Sequence, residues 1–179
     1  MPQLTFVLNG REMRAEYEEG MTFLEVLRDV CGVTSPKDGC APQGYCGCCA
    51  ILLEGRAVLS CLRKPESVDG KSVTTLEGIP EEQRRLVAEA FVREGGLQCG
   101  FCTPGLAVRT CSLLDHQGTD DRDAVSRAIS GHLCRCTGFQ RIIDAIRTAG
   151  EAWQNGGELA DGMPRRPFFF GEEFGLSRT

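Results

Sequence analysis

Four cysteines, Cys40, Cys46, Cys48 and Cys49, fall within ten positions of the stretch GCAPQGYCGCCAI, residues 39–51. Cys61 follows Cys49 after eleven intervening residues. A second group lies further on, Cys99-x2-Cys102 and, thirty-two residues after Cys102, Cys134-x-Cys136. Free thiols at this density oxidise and cross-link unless something holds them. The chain has eleven cysteines in 179 residues, an odd number. The opening MPQLTFVLNGREMR has no long apolar core and no early twin arginine, so no export is expected and the expected location is the cytoplasm. In a reducing compartment a disulfide framework is disfavoured, and closely spaced cysteines point to metal or cluster ligation.

The first group reads Cys40-x5-Cys46-x2-Cys49 with a distant Cys61. Three close sulfurs and one remote one in a β-rich setting resemble plant-type [2Fe–2S] binding, usually spaced C-x4-C-x2-C with a later cysteine. A cluster of thiolates and sulfides is anionic, and a tight loop that turns its N–H groups inward suits it. Gly39, Gly44 and Gly47 give the loop that freedom. Zinc is the rival, although structural zinc sites favour two close Cys pairs or Cys/His pairs, and Cys61 has no second member nearby. In the second group, two pairs of sulfurs each precede a predicted helix and face a common centre. Thr103 and Thr137 are expected to cap those helices, whose N-termini carry partial positive charge that favours an anionic cluster. Zinc fits the ligand count there too, but C-x-C is an uncommon half of a zinc site.

The elements that must position these sulfurs fall into two kinds. LTFVL alternates Leu4, Phe6 and Leu8, Asn9-Gly10 marks a tight turn, and REMRAEY puts Met13, Ala15 and Tyr17 on one face, a β-hairpin. Thr22 and Glu25 form a capping box ahead of Phe23, Val26, Leu27 and Val30 at helical spacing. AILLEGRAVLSCL reads as two strands around Glu54-Gly55, and KSVTTL, residues 71–76, as another. After Pro80, which suits a first helical turn, EEQRRLVAEAFVREGG carries Leu86, Val87, Ala90 and Phe91 on one stripe and stops at Gly95-Gly96. Three more helices are expected: one after Thr103-Pro104, one over DRDAVSRAIS, and one with Ile142, Ile143, Ile146 and Ala149 behind a capping box of Thr137 and Gln140. No repeat of fixed period is present. Net charge is −5, which gives no electrostatic reason to expect nucleic acid, and no apolar run nears the roughly 20 residues of a membrane helix.

Two stretches, QCGFCTPG at residues 98–105 and GHLCRCTGF at residues 131–139, resemble the iron–sulfur small subunit of the molybdenum hydroxylases, the xanthine dehydrogenase, aldehyde oxidase and CO dehydrogenase family. KDGCAPQGYCGCCAILLEG and VLSCL match in the first half, and the resemblance spans roughly residues 4–153. It implies an α+β fold: an N-terminal β-grasp, plant-type ferredoxin-like domain over residues 1–78, then an all-α four-helix domain over residues 79–154, each with one [2Fe–2S] cluster. The tail, 155–179, with Phe168-Phe169-Phe170, is expected to dock on a partner subunit. Carried over by motif, Cys40, Cys46, Cys49 and Cys61 hold the first cluster, and Cys99, Cys102, Cys134 and Cys136 the second. Gln98 and Cys136 are expected to lie against a molybdopterin cofactor held by a large subunit, with FAD expected on a medium subunit. The loop departs from the family in one respect: APQGY puts five residues, not four, between Cys40 and Cys46.

The remaining residues have plainer readings. Cys48 stands where the family has a small residue and is expected to be a passenger. Cys31 and Cys111 read as core packing. His116 ends a helix. His132 neighbours Cys134, but four cysteines already fill the ligand set. Lys37, Arg63 and Arg135 flank cluster cysteines and serve equally well as solvated side chains. No Ser/His/Asp set or phosphate-cradling loop stands out, so the chain is expected to conduct electrons without converting a substrate itself. Two other classes compete with an electron-transfer subunit: a stand-alone ferredoxin-like shuttle or iron–sulfur redox sensor, and a zinc-stabilised interaction module.

Overall fold

A computed structural model describes residues 1–116, 119 and 121–159. The first half is a five-stranded mixed sheet. Strand β1, Gln3–Leu8, pairs antiparallel with β2, Arg11–Glu16, and parallel with β5, Ser72–Thr74. The hairpin turn is set by Asn9 and Gly10, both in the left-handed region at φ 51° and 80°, as a two-residue primed turn requires. Strands β3, Ala50–Leu53, and β4, Arg56–Leu59, form a second hairpin, and β3 pairs with β5. Leu4, Phe6 and Leu8 all point into the core, the period-2 face that the sequence shows.

The Thr22/Glu25 capping box forms as expected, each residue bonding the other's backbone N–H. The helix it starts differs from expectation. Regular α-helix, α1, runs only over Phe23–Glu25 and continues as one π-helical turn, Val26–Val30. Phe23, Val26 and Leu27 are buried, but Val30 is exposed, because the wider turn rotates it off the packed face. Phe23 meets Phe6 edge to face, with ring centroids 5.4 Å apart.

The second half is helical: α2 Glu81–Glu94, α3 Thr103–His116, α4 Arg122–Ala128 and α5 Gln140–Gln154. Helix α2 ends on Gly95 at φ 66°, a left-handed cap. Val87, Ala90 and Phe91 of α2 share one core with Ile142, Ile143, Ile146 and Ala149 of α5, and Leu86 is buried on the same helix. The same core continues across to Cys46, Cys48, Ala50 and Leu52 of the sheet half, and α3 packs against β3. The halves are therefore joined on the cysteine loop itself. Architecture and fold class are α+β, as the motifs imply. The expectation for Phe168–Phe170 lies outside the described residues.

Candidate functional site

The cysteine loop between the π turn and β3 is held by its own backbone. Ala41 N–H donates to Asp38 Oδ1, Gln43 N–H to the Cys40 carbonyl, and Lys37 N–H to the Cys48 carbonyl. Gly44 and Gly47 have φ of 74° and 69°, so the loop turns where only glycine is unstrained. Gly39 acts differently: its φ is ordinary, but a Cβ there would sit 3.0 Å from Cys46 Sγ and 3.1 Å from the Phe101 ring. At the far side, Ser60 donates both its N–H and its hydroxyl to the Cys49 carbonyl, which fixes Cys61 beside that residue. Leu24 of α1 packs on Cys49 and Cys61.

All eleven cysteines are free thiols, and eight of them fall into neighbouring pairs. Cys40 lies with Cys46 and Cys49 with Cys61. Cys102 lies with Cys134, and Cys136 Sγ lies 3.5 Å from Cys99 Sγ. A disulfide would need about 2.05 Å, whereas two thiolates on one tetrahedral metal at about 2.3 Å stand ~3.8 Å apart. Among the described residues no three Cys, His, Asp or Glu side chains converge on one point as a single bound ion would require. Sulfurs in twos, two pairs per set, fit a diiron centre in which each iron takes two thiolates. The residues present therefore fit the [2Fe–2S] group.

The acidities follow the pairing. Burial opposes ionisation of Cys40, but N–H groups of Tyr45, Cys46 and Gln43 and the Cys46 thiol outweigh it and bring Cys40 down to about 7. Burial raises its neighbour Cys46. Burial, with Cys49 alongside, pushes Cys61 up to about 12. In the second set the Phe101 N–H and the Cys136 thiol lower Cys99, while Cys136 is raised by Cys99. Burial and the Cys134 thiol push Cys102 up to about 12; burial opposes ionisation of Cys134 as well, but the Thr137 hydroxyl and nearby N–H groups lower it on balance. In three of the four pairs one sulfur ionises early and the other keeps the proton, so binding iron must displace protons.

The capping box expected from Thr137 and Gln140 does not form. Helix α5 begins at Gln140 behind Phe139, which makes no side-chain cap. Thr137 Oγ1 lies 3.1 Å from Cys134 Sγ instead, and the Gln140 carboxamide oxygen accepts from Arg122. Thr103 is the first residue of α3 rather than its cap. Gln98 Nε2 donates to the Cys136 carbonyl at 3.3 Å, so the two residues expected at a pterin do lie together. Cys99 and Cys136 are exposed, with Phe101 and Leu133 exposed beside them. Around the first set Tyr45 and Leu62 are exposed. Lys37 Nζ stands 5.4 Å over the Phe101 ring, and Cys111 is buried in the helical core.

Three features escape sequence reading because they arise where the halves meet. The Cys46 carbonyl accepts the Leu133 N–H at 2.9 Å, one residue before Cys134. His132 is buried with its ring against Gly47, and burial, then Arg109, push its pKa down to about 4, so it packs as a neutral ring. Cys48 Sγ donates to the same Cys46 carbonyl at 3.6 Å and lines a cleft of about 190 Å³ with Cys46, Cys99, Cys102, Cys134 and Cys136.

A five-stranded mixed sheet fused to a helical unit, with a cysteine set on each, defines an iron–sulfur protein of two parts. Residues 75–147 match the family model of a [2Fe-2S] binding domain. The chain is 36% identical to the nicotinate dehydrogenase small FeS subunit of Eubacterium barkeri, covering 83% of this chain and 94% of that one. It is 39% identical to the nicotine 6-hydroxylase small subunit of Paenarthrobacter nicotinovorans, over 79% of this chain and 86% of that one. Among solved structures, quinoline 2-oxidoreductase from Pseudomonas putida 86 superposes with a TM-score of 0.79 at 38% identity, covering 88% of this chain and 98% of that chain. The chain belongs to the family of iron–sulfur small subunits of the molybdenum hydroxylases, electron-transfer components of oxidoreductase complexes. No described helix is long and apolar enough to cross a membrane.

Proposed function

We propose that this chain carries electrons singly from a molybdopterin centre on a large subunit, through two [2Fe–2S] centres, to FAD on a medium subunit or to another acceptor. Cys99, Cys102, Cys134 and Cys136 hold the centre on the molybdopterin side, and Cys40, Cys46, Cys49 and Cys61 hold the other. When bound, each centre takes up and releases one electron. The observation that carries the reading is the bond from Leu133 N–H to the Cys46 carbonyl at 2.9 Å. It joins a residue of the first set to the neighbour of Cys134 in the second, so covalent bonds and one hydrogen bond connect the two sets. Gln98, bonded to the Cys136 carbonyl, presents its carboxamide beside the exposed sulfurs Cys99 and Cys136, where a pterin with several N–H and C=O groups finds partners. Exposed Phe101 and Leu133 flank that face, and Tyr45 and Leu62 flank the first set, apolar surface of the sort that subunits cover. Gln98 and Cys136 contact the pterin; the ferredoxin-like unit is residues 1–78, the helical unit 79–154, and 155–179 docks on a partner in the cytoplasm.

The test is isolation of the chain with its native partners, followed by iron and zinc analysis and reductive titration followed by EPR. Two distinct diiron signals, copurifying larger subunits and slowed reduction of the first centre in Cys136→Ser support the reading. A chain that purifies alone and fully soluble favours the shuttle or sensor, and a colourless zinc protein sinks both.

A further inference from the structure

Cys48 and Cys49 are adjacent, yet their sulfurs go opposite ways. Cys49 packs with Leu24 and Cys61, while Cys48 joins Cys46 and Cys102 in the core that spans both halves. Its surroundings are built around it. A Cβ on Gly39 would lie 3.0 Å from Cys46 Sγ and 3.4 Å from Cys48 Sγ, so the two sulfurs converge on the bare face of that glycine. Gly105, in the first turn of α3, lets that helix rest directly on the Cys48 backbone, since a Cβ there would fall 3.0 Å from Cys48 Cα. The Cys48 carbonyl is held by Lys37 N–H at 2.9 Å. Within this frame the thiol reaches the Cys46 carbonyl at 3.6 Å, the same oxygen that accepts Leu133 N–H.

We propose that Cys48 is a positioning residue for the first centre: its S–H holds Cys46 in the orientation that meets Leu133 and places partial positive charge beside that ligand, which favours the reduced centre. The inference rests on Cys46 being a ligand, as proposed above. The thiol keeps its proton and its electrons throughout. A thiol hydrogen is a weak donor, but it acts where both Cys46 and Cys48 are buried, and a hydrogen bond is stronger in such surroundings than in water. Hydrogen bonds and charge around ligand sulfurs are levers that set cluster potentials.

The test compares Cys48→Ala and Cys48→Ser with the unaltered protein, each isolated with its native partners, by iron analysis and EPR-monitored redox titration. Both variants are expected to keep the iron content and both signals. Cys48→Ala should shift the reduction equilibrium of the first centre about threefold toward the oxidised form, about 28 mV at 59 mV per tenfold for one electron. Cys48→Ser, which retains a donor, should return most of that shift, and the second centre should titrate as before. An unchanged titration in Cys48→Ala overturns the proposal, as does a Cys48→Ser that behaves like Cys48→Ala, since volume alone would then explain the effect. Loss of the first centre's iron in Cys48→Ala would make Cys48 a ligand and also overturn it. Absence of two diiron signals in the unaltered protein removes the parent reading instead, and that failure is visible before any variant is made.

Discussion

Thr137 directs its hydroxyl at Cys134 Sγ, 3.1 Å away, rather than at the start of α5. With Cys134 bound as a thiolate the hydroxyl is the donor, an outer-layer hydrogen bond of the kind that holds a ligand in place. Thr137→Val, close in shape but without the donor, should weaken iron retention at the second centre by about tenfold, and Thr137→Ser should restore it. Timed release of iron to a chelator measures this. Glu77 makes a different prediction. Its carboxylate accepts from Thr75 Oγ1 at 2.5 Å and Ser35 Oγ at 2.7 Å, tying the segment before Cys40 to the end of β5. Burial works against its charge, but those bonds outweigh it and hold the carboxyl below its usual range. A carboxyl depressed by folding stabilises the protein above its unfolded value, about 4.3, and that contribution is lost as pH falls through the folded value. Glu77→Gln should therefore lower stability by about 1 kcal/mol near neutrality, allowing for solvent screening, and by nothing once both carboxyl forms are protonated. Urea midpoints of the two proteins compared across that range give the answer.

Elements whose rules are local were legible in the sequence. The Asn9-Gly10 turn needs two left-handed residues, and the chain supplies two that tolerate it. The Thr22/Glu25 box closes within four residues and depends on nothing distant. Thr22→Ala should cost about 1 kcal/mol, read as a lower urea midpoint, and should loosen Leu24 over Cys49 and Cys61. Spacing, a local pattern, groups the cysteines into two sets but not into the pairs that form: Cys99-x2-Cys102 and Cys134-x-Cys136 exchange partners, so that Cys102 lies with Cys134 and Cys99 with Cys136. The Thr137/Gln140 box was misread because two distant groups, Cys134 Sγ and Arg122, compete for its two side chains. Likewise the π turn after Glu25 keeps the apolar spacing of an α-helix at Phe23, Val26 and Leu27 and differs only at Val30. Hydrophobic period registers which residues face inward, and it is blind to one extra residue in a turn. Cys48 was read as a passenger because it stands at the place of a small residue in the resembling motif; its neighbour in the seam, Cys102, is distant in sequence and meets it only once the halves pack.

At the scale of the whole molecule, the proposed function requires the two halves to stay in register, because each carries one set of sulfurs. Their seam is made of backbone approaching backbone. Gly105 of α3 sits so close to the cysteine loop that a Cβ would lie 2.4 Å from the Gly47 carbonyl oxygen. Gly47 in turn leaves room for the buried His132 ring, which a Cβ there would approach to 2.4 Å. Side chains can rotate away from a clash, but a carbonyl held in a turn with φ of 69° moves only if the loop moves. Gly105→Ala should therefore push α3 off the loop and lengthen the Leu133–Cys46 bond while leaving in place all eight cysteines proposed as ligands. Overpacking of this kind costs about 1–3 kcal/mol, which corresponds to a drop of roughly 2–12 °C in Tm for a chain of this size. Gly131→Ala is the control, because nothing lies within 4 Å of its Cβ and its backbone is not left-handed. The decisive reading is the magnetic interaction between the two reduced centres, which should weaken in Gly105→Ala and hold in Gly131→Ala at equal iron content. If Gly105→Ala leaves both Tm and that interaction unchanged, the halves are held by something other than this seam, and the path through the Cys46 carbonyl loses its structural basis.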